Sequence, residues 1–350
     1  MKKITILLLV FMCFALTTCF SSYTGESSLT ISLAGSGRAV AYYSDAVNFN
    51  HKITLTGPGN RTMESPWLEP SRGALYYTFS GLGNGTWTVT VEARFNELHS
   101  SVEADSFQPF TPDSQQGQNF LRAWGIAQTT LPALNSIVTV PMLPAIEVAT
   151  FPQLQAAITA TNNFGNEEII VITAPFLFEH FRFDTNDIGA SRNITLAARN
   201  DVTITRADTN GDSFFTVQRN VSLQLGRDGF NGTVTIDGNA PQTPAGSAIA
   251  VNADGMFILH DGIITNNTAQ DGGGVYVDDN GIFTMWDGLI SLNSAENGGG
   301  VYIAGGGIFT MNGGRIIGNT ADSEGSGVYI ENNGIFNRSP DWVIDDEVYP

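Results

Sequence analysis

The sequence predicts an all-β chain in which a right-handed parallel β-helix forms the C-terminal part and a small β-sandwich precedes it. Three observations carry the prediction. First, 38 glycines and 22 phenylalanines accompany only 14% charged residues, which suits short strands and tight turns rather than charged helices. Second, one motif recurs nearly in register: Ile249-Ala250-Val251, Val275-Tyr276-Val277, Val301-Tyr302-Ile303 and Val328-Tyr329-Ile330 stand 26, 26 and 27 residues apart. Third, strand-like alternation is already present upstream of these repeats, and 350 residues exceed what a single core usually holds.

From the N-terminus, Lys2 and Lys3 precede an apolar stretch from Ile4 to Leu16, the anatomy of a signal peptide and too short to span a bilayer. Leu16-Thr17-Thr18-Cys19 resembles a bacterial lipobox, which implies lipidation of Cys19 and, with Phe20 following, an outer-membrane lipoprotein or otherwise a secreted chain. Residues 1–19 are thus expected to direct export, and residues 20–28 to act as a tether. Cys13 and Cys19 are the two cysteines, so the mature body is expected to form neither a disulfide nor a thiolate metal site. With 34 acidic against 16 basic side chains, nucleic acid is not an expected partner.

Residues 29–141 read as the sandwich, with strands at Leu29–Leu33, Ile53–Thr56, Leu75–Phe79, Thr86–Val91 and Ile137–Val140. In Gly85-Thr86-Trp87-Thr88-Val89-Thr90-Val91 the strict alternation puts Trp87, Val89 and Val91 on the buried face. Such a strand resembles those of immunoglobulin-like or transthyretin-like modules. The stretch from Phe95 to Thr130 has no clear period and reads as an insertion, and Pro141 to Pro144 reads as a linker. Within residues 145–350, assigned to the β-helix, Phe151, Leu154, Ala157 and Ile158 share one side of a helix expected to cap the first coil. Irregular coils follow, with strands near residues 169–173, 194–196, 202–205, 214–217, 221–225 and 234–236.

The regular repeats span residues 247–336. Three further columns keep step with the first: Gly255, Gly281, Gly307 and Gly334; Phe257, Phe283, Phe309 and Phe336; and Asn267, Asn293 and Asn319. Each unit holds three short apolar runs, hence three strands per coil. Interior ladders of Phe257, Phe283, Phe309, of Leu259, Met285, Met311 and of Ile264, Ile290, Ile316 are expected, with the asparagines bonding turn backbone. A leucine-rich repeat is set aside because the columns are Val, Phe and Ile. After Arg338-Ser339-Pro340 the pattern lapses, and residues 342–350 either fold over the last coil or leave it open.

Asn293-Ser294-Ala295 followed by Gly298-Gly299-Gly300-Val301-Tyr302, and Asn319-Thr320-Ala321 followed by Gly325-Ser326-Gly327-Val328-Tyr329, resemble the repeats of polymorphic outer-membrane proteins. The resemblance implies a surface-displayed right-handed β-helix with a role in adhesion. Ile rather than Phe precedes the Asn here, one Gly of the triplet varies, and no membrane barrel follows in this sequence. The outward column Tyr276, Tyr302 and Tyr329 is the candidate binding feature for a glycan or protein partner, with Ala250 ending the column.

Enzymatic readings are weaker. A polyuronate site needs cations, yet only Arg315 and Arg338 are basic between residues 245 and 350. Asp261 and Asp287 occupy equivalent places in neighbouring coils and could form a glycosidase pair, although each precedes a Gly as turn aspartates do. Asp278-Asp279-Asn280-Gly281 also reads as a turn. Asp208-Thr209-Asn210-Gly211-Asp212 loosely resembles a calcium loop, with its Gly misplaced. His51, His99, His180 and His260 show no metal-ligand spacing. No catalytic residue, metal or cofactor is therefore assigned, and the alternative function is a secreted polysaccharide-degrading β-helix enzyme.

Overall fold

The computed structural model describes residues 27–33, 49–68, 76–95, 121–132, 137–160, 167–178, 181–183, 192–207, 212–239, 246–339 and 344–349. The lipobox-like segment with Cys19, most of the tether, His99, His180, the residues from Asp208 to Gly211, and Trp342 lie outside them. The described chain is nearly all β, and its C-terminal part is a parallel β-solenoid of about 6 turns.

The N-terminal part closes two sheets over one core. One sheet orders Tyr76–Leu82, Ser27–Ser32 and Ile137–Thr139; facing it are Arg61–Glu64, Phe49–Gly57, Gly85–Phe95 and Leu121–Leu131. The alternation in Gly85–Phe95 behaves as expected, with Trp87, Val89, Val91 and Ala93 buried. Two expectations are corrected. The supposed insertion ends in an 11-residue strand, Leu121–Leu131, antiparallel to Gly85–Phe95, and its period was hidden because Trp124, Gly125 and Ile126 do not alternate apolar with polar.

The supposed linker contributes instead to the strand Met142–Val148, which pairs antiparallel with Leu121–Leu131 through Met142 to Pro144 and parallel with Glu167–Ile172 through Ala145 to Val148. One sheet of 12 strands therefore runs without a break from the N-terminal part into the solenoid. The edge of the first coil, a row of unpaired backbone groups in an isolated solenoid, is satisfied by this strand. The helix Phe151–Ala160 covers the interior: Leu154, Ala157 and Ile158 are buried, and Phe151 packs on Phe178 at 4.6 Å.

Three parallel sheets build the solenoid. The first continues through Arg192–Ala198, Val221–Leu225, Met256–Leu259, Ile282–Met285, Ile308–Met311 and Ile335–Arg338. The second holds Phe176–Phe178, Val202–Arg206, Val234–Asp237, Ile263–Thr265, Leu289–Ser291 and Arg315–Ile317. The third holds Phe181–Phe183, Phe215–Val217, Ile249–Val251, Val275–Val277, Val301–Ile303, Val328–Ile330 and Val348–Tyr349. Equivalent residues pair directly, as Phe283 with Phe309 and Ile290 with Ile316. The interior ladders are those expected, and the rings of Phe283 and Phe309 stack at 4.4 Å. Gly255, Gly281 and Gly307 serve close approach rather than positive φ: a Cβ on Gly281 would lie 2.7 Å from the Val251 carbonyl. The positive φ falls one residue earlier, at Asp254, Asn280, Gly306 and Asn333.

The asparagine column is a buried hydrogen-bond ladder. The backbone N–H and side-chain amide of Asn267 donate to Asn293 Oδ1, and those of Asn293 to Asn319 Oδ1, all at 3.0 Å. Asp346 takes the next place: its carboxylate accepts from the Asn319 N–H, the Asn319 amide and the Gly318 N–H. Of the two fates for the tail, it folds over. Ile344 bridges to Ile316, Val348–Tyr349 adds to the third sheet, and the Glu347 carbonyl accepts from the N–H groups of Gly327 and Val328.

Candidate functional site

The strand triplets of the third sheet alternate in, out, in. Val275 and Val277 are buried, so Tyr276 must point outward, and the in-register pairing stacks it on Tyr302. Ring centroids lie 5.3 Å apart for Tyr276 and Tyr302, and 5.0 Å for Tyr302 and Tyr329. The column has a fourth member that the repeat did not reveal. Tyr349 stacks on Tyr329 at 5.7 Å with parallel rings, because the tail returns to the third sheet only 20 residues after Val328 instead of a full period. Ala250 ends the column above Tyr276, as expected.

Carboxylates surround these rings. The hydroxyl of Tyr276 is pushed above its ordinary value by burial, then by Asp278, Asp271 and Glu331; that of Tyr302 is pushed up by burial and Glu331. Tyr349 is raised chiefly by the charge of Glu324, to which it is hydrogen-bonded. Because the rings stack on one another, the column presents ring edges and neutral hydroxyls to a partner, and the surrounding carboxylates favour a neutral or cationic group and repel anions.

On the opposite side of the coil, the turns between first-sheet and second-sheet strands form a depression of about 480 Å³, whose side chains include Arg227, Asp228, His260, Asp261, Trp286 and Asp287. Asp261 and Asp287 are thus brought to one place. The Asp261 carboxyl is pushed up by burial and by the neighbouring Asp287. Turn chemistry also holds, since the Gly288 N–H donates to Asp287 Oδ1 at 2.8 Å. The residues from Asp278 to Gly281 form the expected turn, closed by the Gly281 N–H on the Asp278 carbonyl at 2.8 Å. His51 is buried in the N-terminal core, far in sequence and packing from His260. Among the described residues no three His, Cys, Asp or Glu side chains could hold one metal ion. Among them, too, no helix is long and apolar enough to cross a membrane.

Sequence reasoning missed Trp286, His260 and Arg227 as members of one site. Trp286 stands where His260 and Asn312 stand in the adjacent coils, and a large aromatic residue at this turn position was the readable mark. Comparison with protein-family models, curated proteins and solved structures gives no match.

Proposed function

We propose that this chain is a nonenzymatic cell-surface protein for adhesion or display, binding a glycan or protein partner through the tyrosine face of the solenoid. The observation that carries the reading is the stacked column Tyr276, Tyr302, Tyr329 and Tyr349 on the outer face of a sheet whose inner face is core. A rigid aromatic strip loses little conformational entropy on binding, which suits repeated, shallow recognition. The resemblance of the repeats to polymorphic outer-membrane proteins supports the same role, and the lipobox-like Leu16 to Cys19 supports export with lipidation of Cys19 at the outer membrane. The N-terminal sheets would then space the solenoid from the membrane.

The second reading is a secreted enzyme acting on an uncharged polysaccharide, favoured by the raised Asp261 carboxyl beside Asp287. One experiment addresses both. The full chain is applied to glycan and extracellular-protein arrays, read for retention and for cleavage, beside a Tyr276→Ser/Tyr302→Ser/Tyr329→Ser variant. Retention without cleavage, lost for at least one arrayed ligand in the variant while its circular dichroism is unchanged, is expected. Unchanged retention rejects the tyrosine face, and cleavage that disappears in Asp261→Asn or Asp287→Asn selects the enzyme.

A further inference from the structure

The depression beside Asp261 lies where one coil departs from its neighbours. Neighbouring coils pass from first to second sheet through short turns, 260–262 and 286–288, but between Leu225 and Val234 the chain runs through the longer loop 226–233. This loop is held in place. Phe230 packs on Trp124 of the N-terminal part at 4.6 Å, and a Cβ on Gly229 would lie 2.4 Å from the Trp124 ring. Arg227 lies over the same ring and pairs with Glu167. The loop so anchored forms one wall, and the turns carrying His260 and Trp286 form the other.

The wall chemistry is specific. Trp286 is 56% exposed, although large apolar side chains in turns of this solenoid are otherwise few. Beside it stand the carboxylates of Asp228, Asp261 and Asp287, which accept hydrogen bonds, and His260, whose Nε2 lies 3.7 Å from Asp228 Oδ1. An open indole next to several acceptors matches a pyranose, which has an apolar C–H face and an edge of hydroxyls. The volume falls within the roughly 300 to 1,000 Å³ of small-ligand sites. Charge selects further. Three carboxylates face one guanidinium already paired with Glu167, so a uronate or sulfated sugar would be repelled.

We propose that this depression is a saccharide-binding site for an uncharged sugar ring, with Trp286 as the stacking platform and Asp228, Asp261 and Asp287 receiving the hydroxyls. It is separate from the tyrosine face and does not rest on it. The site needs no bond cleavage; Asp261 and Asp287 stand side by side in it as acceptors for neighbouring hydroxyls.

The test is titration calorimetry of the full chain with cello-, xylo-, manno- and N-acetylchito-oligosaccharides, and with oligogalacturonate as the charged counterpart. At least one uncharged series is expected to bind. Trp286→Ala should weaken it by about tenfold or more, and Asp261→Ala/Asp287→Ala should weaken it likewise. For the series whose binding Trp286→Ala weakens, the Tyr276→Ser/Tyr302→Ser/Tyr329→Ser variant should bind as the parent does, which separates this site from the tyrosine face. Because Trp286 is mostly exposed, its replacement should leave the thermal midpoint unchanged, and bound sugar should shield its fluorescence from acrylamide. Binding of no uncharged series, equal binding of oligogalacturonate, or full affinity in Trp286→Ala would each overturn the proposal.

Discussion

Asn293 serves two coils at once. Its Oδ1 accepts both donors of Asn267, while its amide donates to the Ile264 carbonyl and to Asn319 Oδ1, all in the interior. Replacing it with the similarly sized Leu strands the Asn267 N–H and the Ile264 carbonyl away from water. Each orphaned group costs about 1 to 3 kcal/mol, so Asn293→Leu is expected to destabilise by about 3 kcal/mol, read as a lowered urea midpoint. Asp261 makes a prediction with a sign. Its folded-state carboxyl lies above the ordinary 3.8, so the protonated form is favoured by folding. The stability this group contributes is complete below the unfolded value and is lost as pH rises through the raised one. Asp261→Asn, which cannot ionise, is therefore expected to gain thermal stability relative to the parent between about pH 3 and pH 7. A constant difference in midpoint across that range would refute the assignment.

At the scale of elements, the parts legible in the sequence were those in which period and burial coincide. The Phe, Met, Ile and Asn columns were readable because stacked coils force equivalent residues into equivalent surroundings, and Trp87 because a two-sided strand alternates. What was not readable lacks a period. Leu121–Leu131 packs one face on the N-terminal core, through Ala123 and Leu131, and the other on the solenoid, through Trp124, so apolar residues fall on both faces and no alternation shows. Tyr349 and Asp346 rejoin columns at irregular spacing, which follows from three-dimensional return and not from repetition. Likewise the depression draws on turns from two coils and on one long loop. The shared strand Met142–Val148 and Trp124 make the joint: Arg94 bonds Glu147 at 2.9 and 3.1 Å, and Glu92 pairs with Arg199 across it. Trp124→Ala removes a fully buried ring from this joint and is expected to cost about 3 to 5 kcal/mol. Limited proteolysis should then cut near residues 226–233 first, and an unchanged digestion pattern would contradict the role given to the ring.

For the molecule as a whole, one sheet of 12 strands ties the N-terminal part to the solenoid, and the solenoid presents two unlike surfaces. The tyrosine column lies along the third sheet, and the anchored depression lies at the corner between the other two. Both depend on one claim, that successive coils stack in register so that a 26-residue step in sequence is a single rung in space. That claim is tested most directly at the tyrosine column itself. Adjacent parallel strands lie about 4.8 Å apart, inside the range of roughly 4.4 to 6.8 Å between Cα atoms that a disulfide spans. In a chain with Cys13 and Cys19 replaced by Ser, the pair Tyr276→Cys/Tyr302→Cys is expected to close an intrachain disulfide on mild oxidation, seen by mass spectrometry of the linked peptides. The pair Tyr276→Cys/Ile303→Cys, with one side chain outside and the other in the core, should remain reduced. Closure of the second pair but not the first would contradict the register, and with it the stacked tyrosine face.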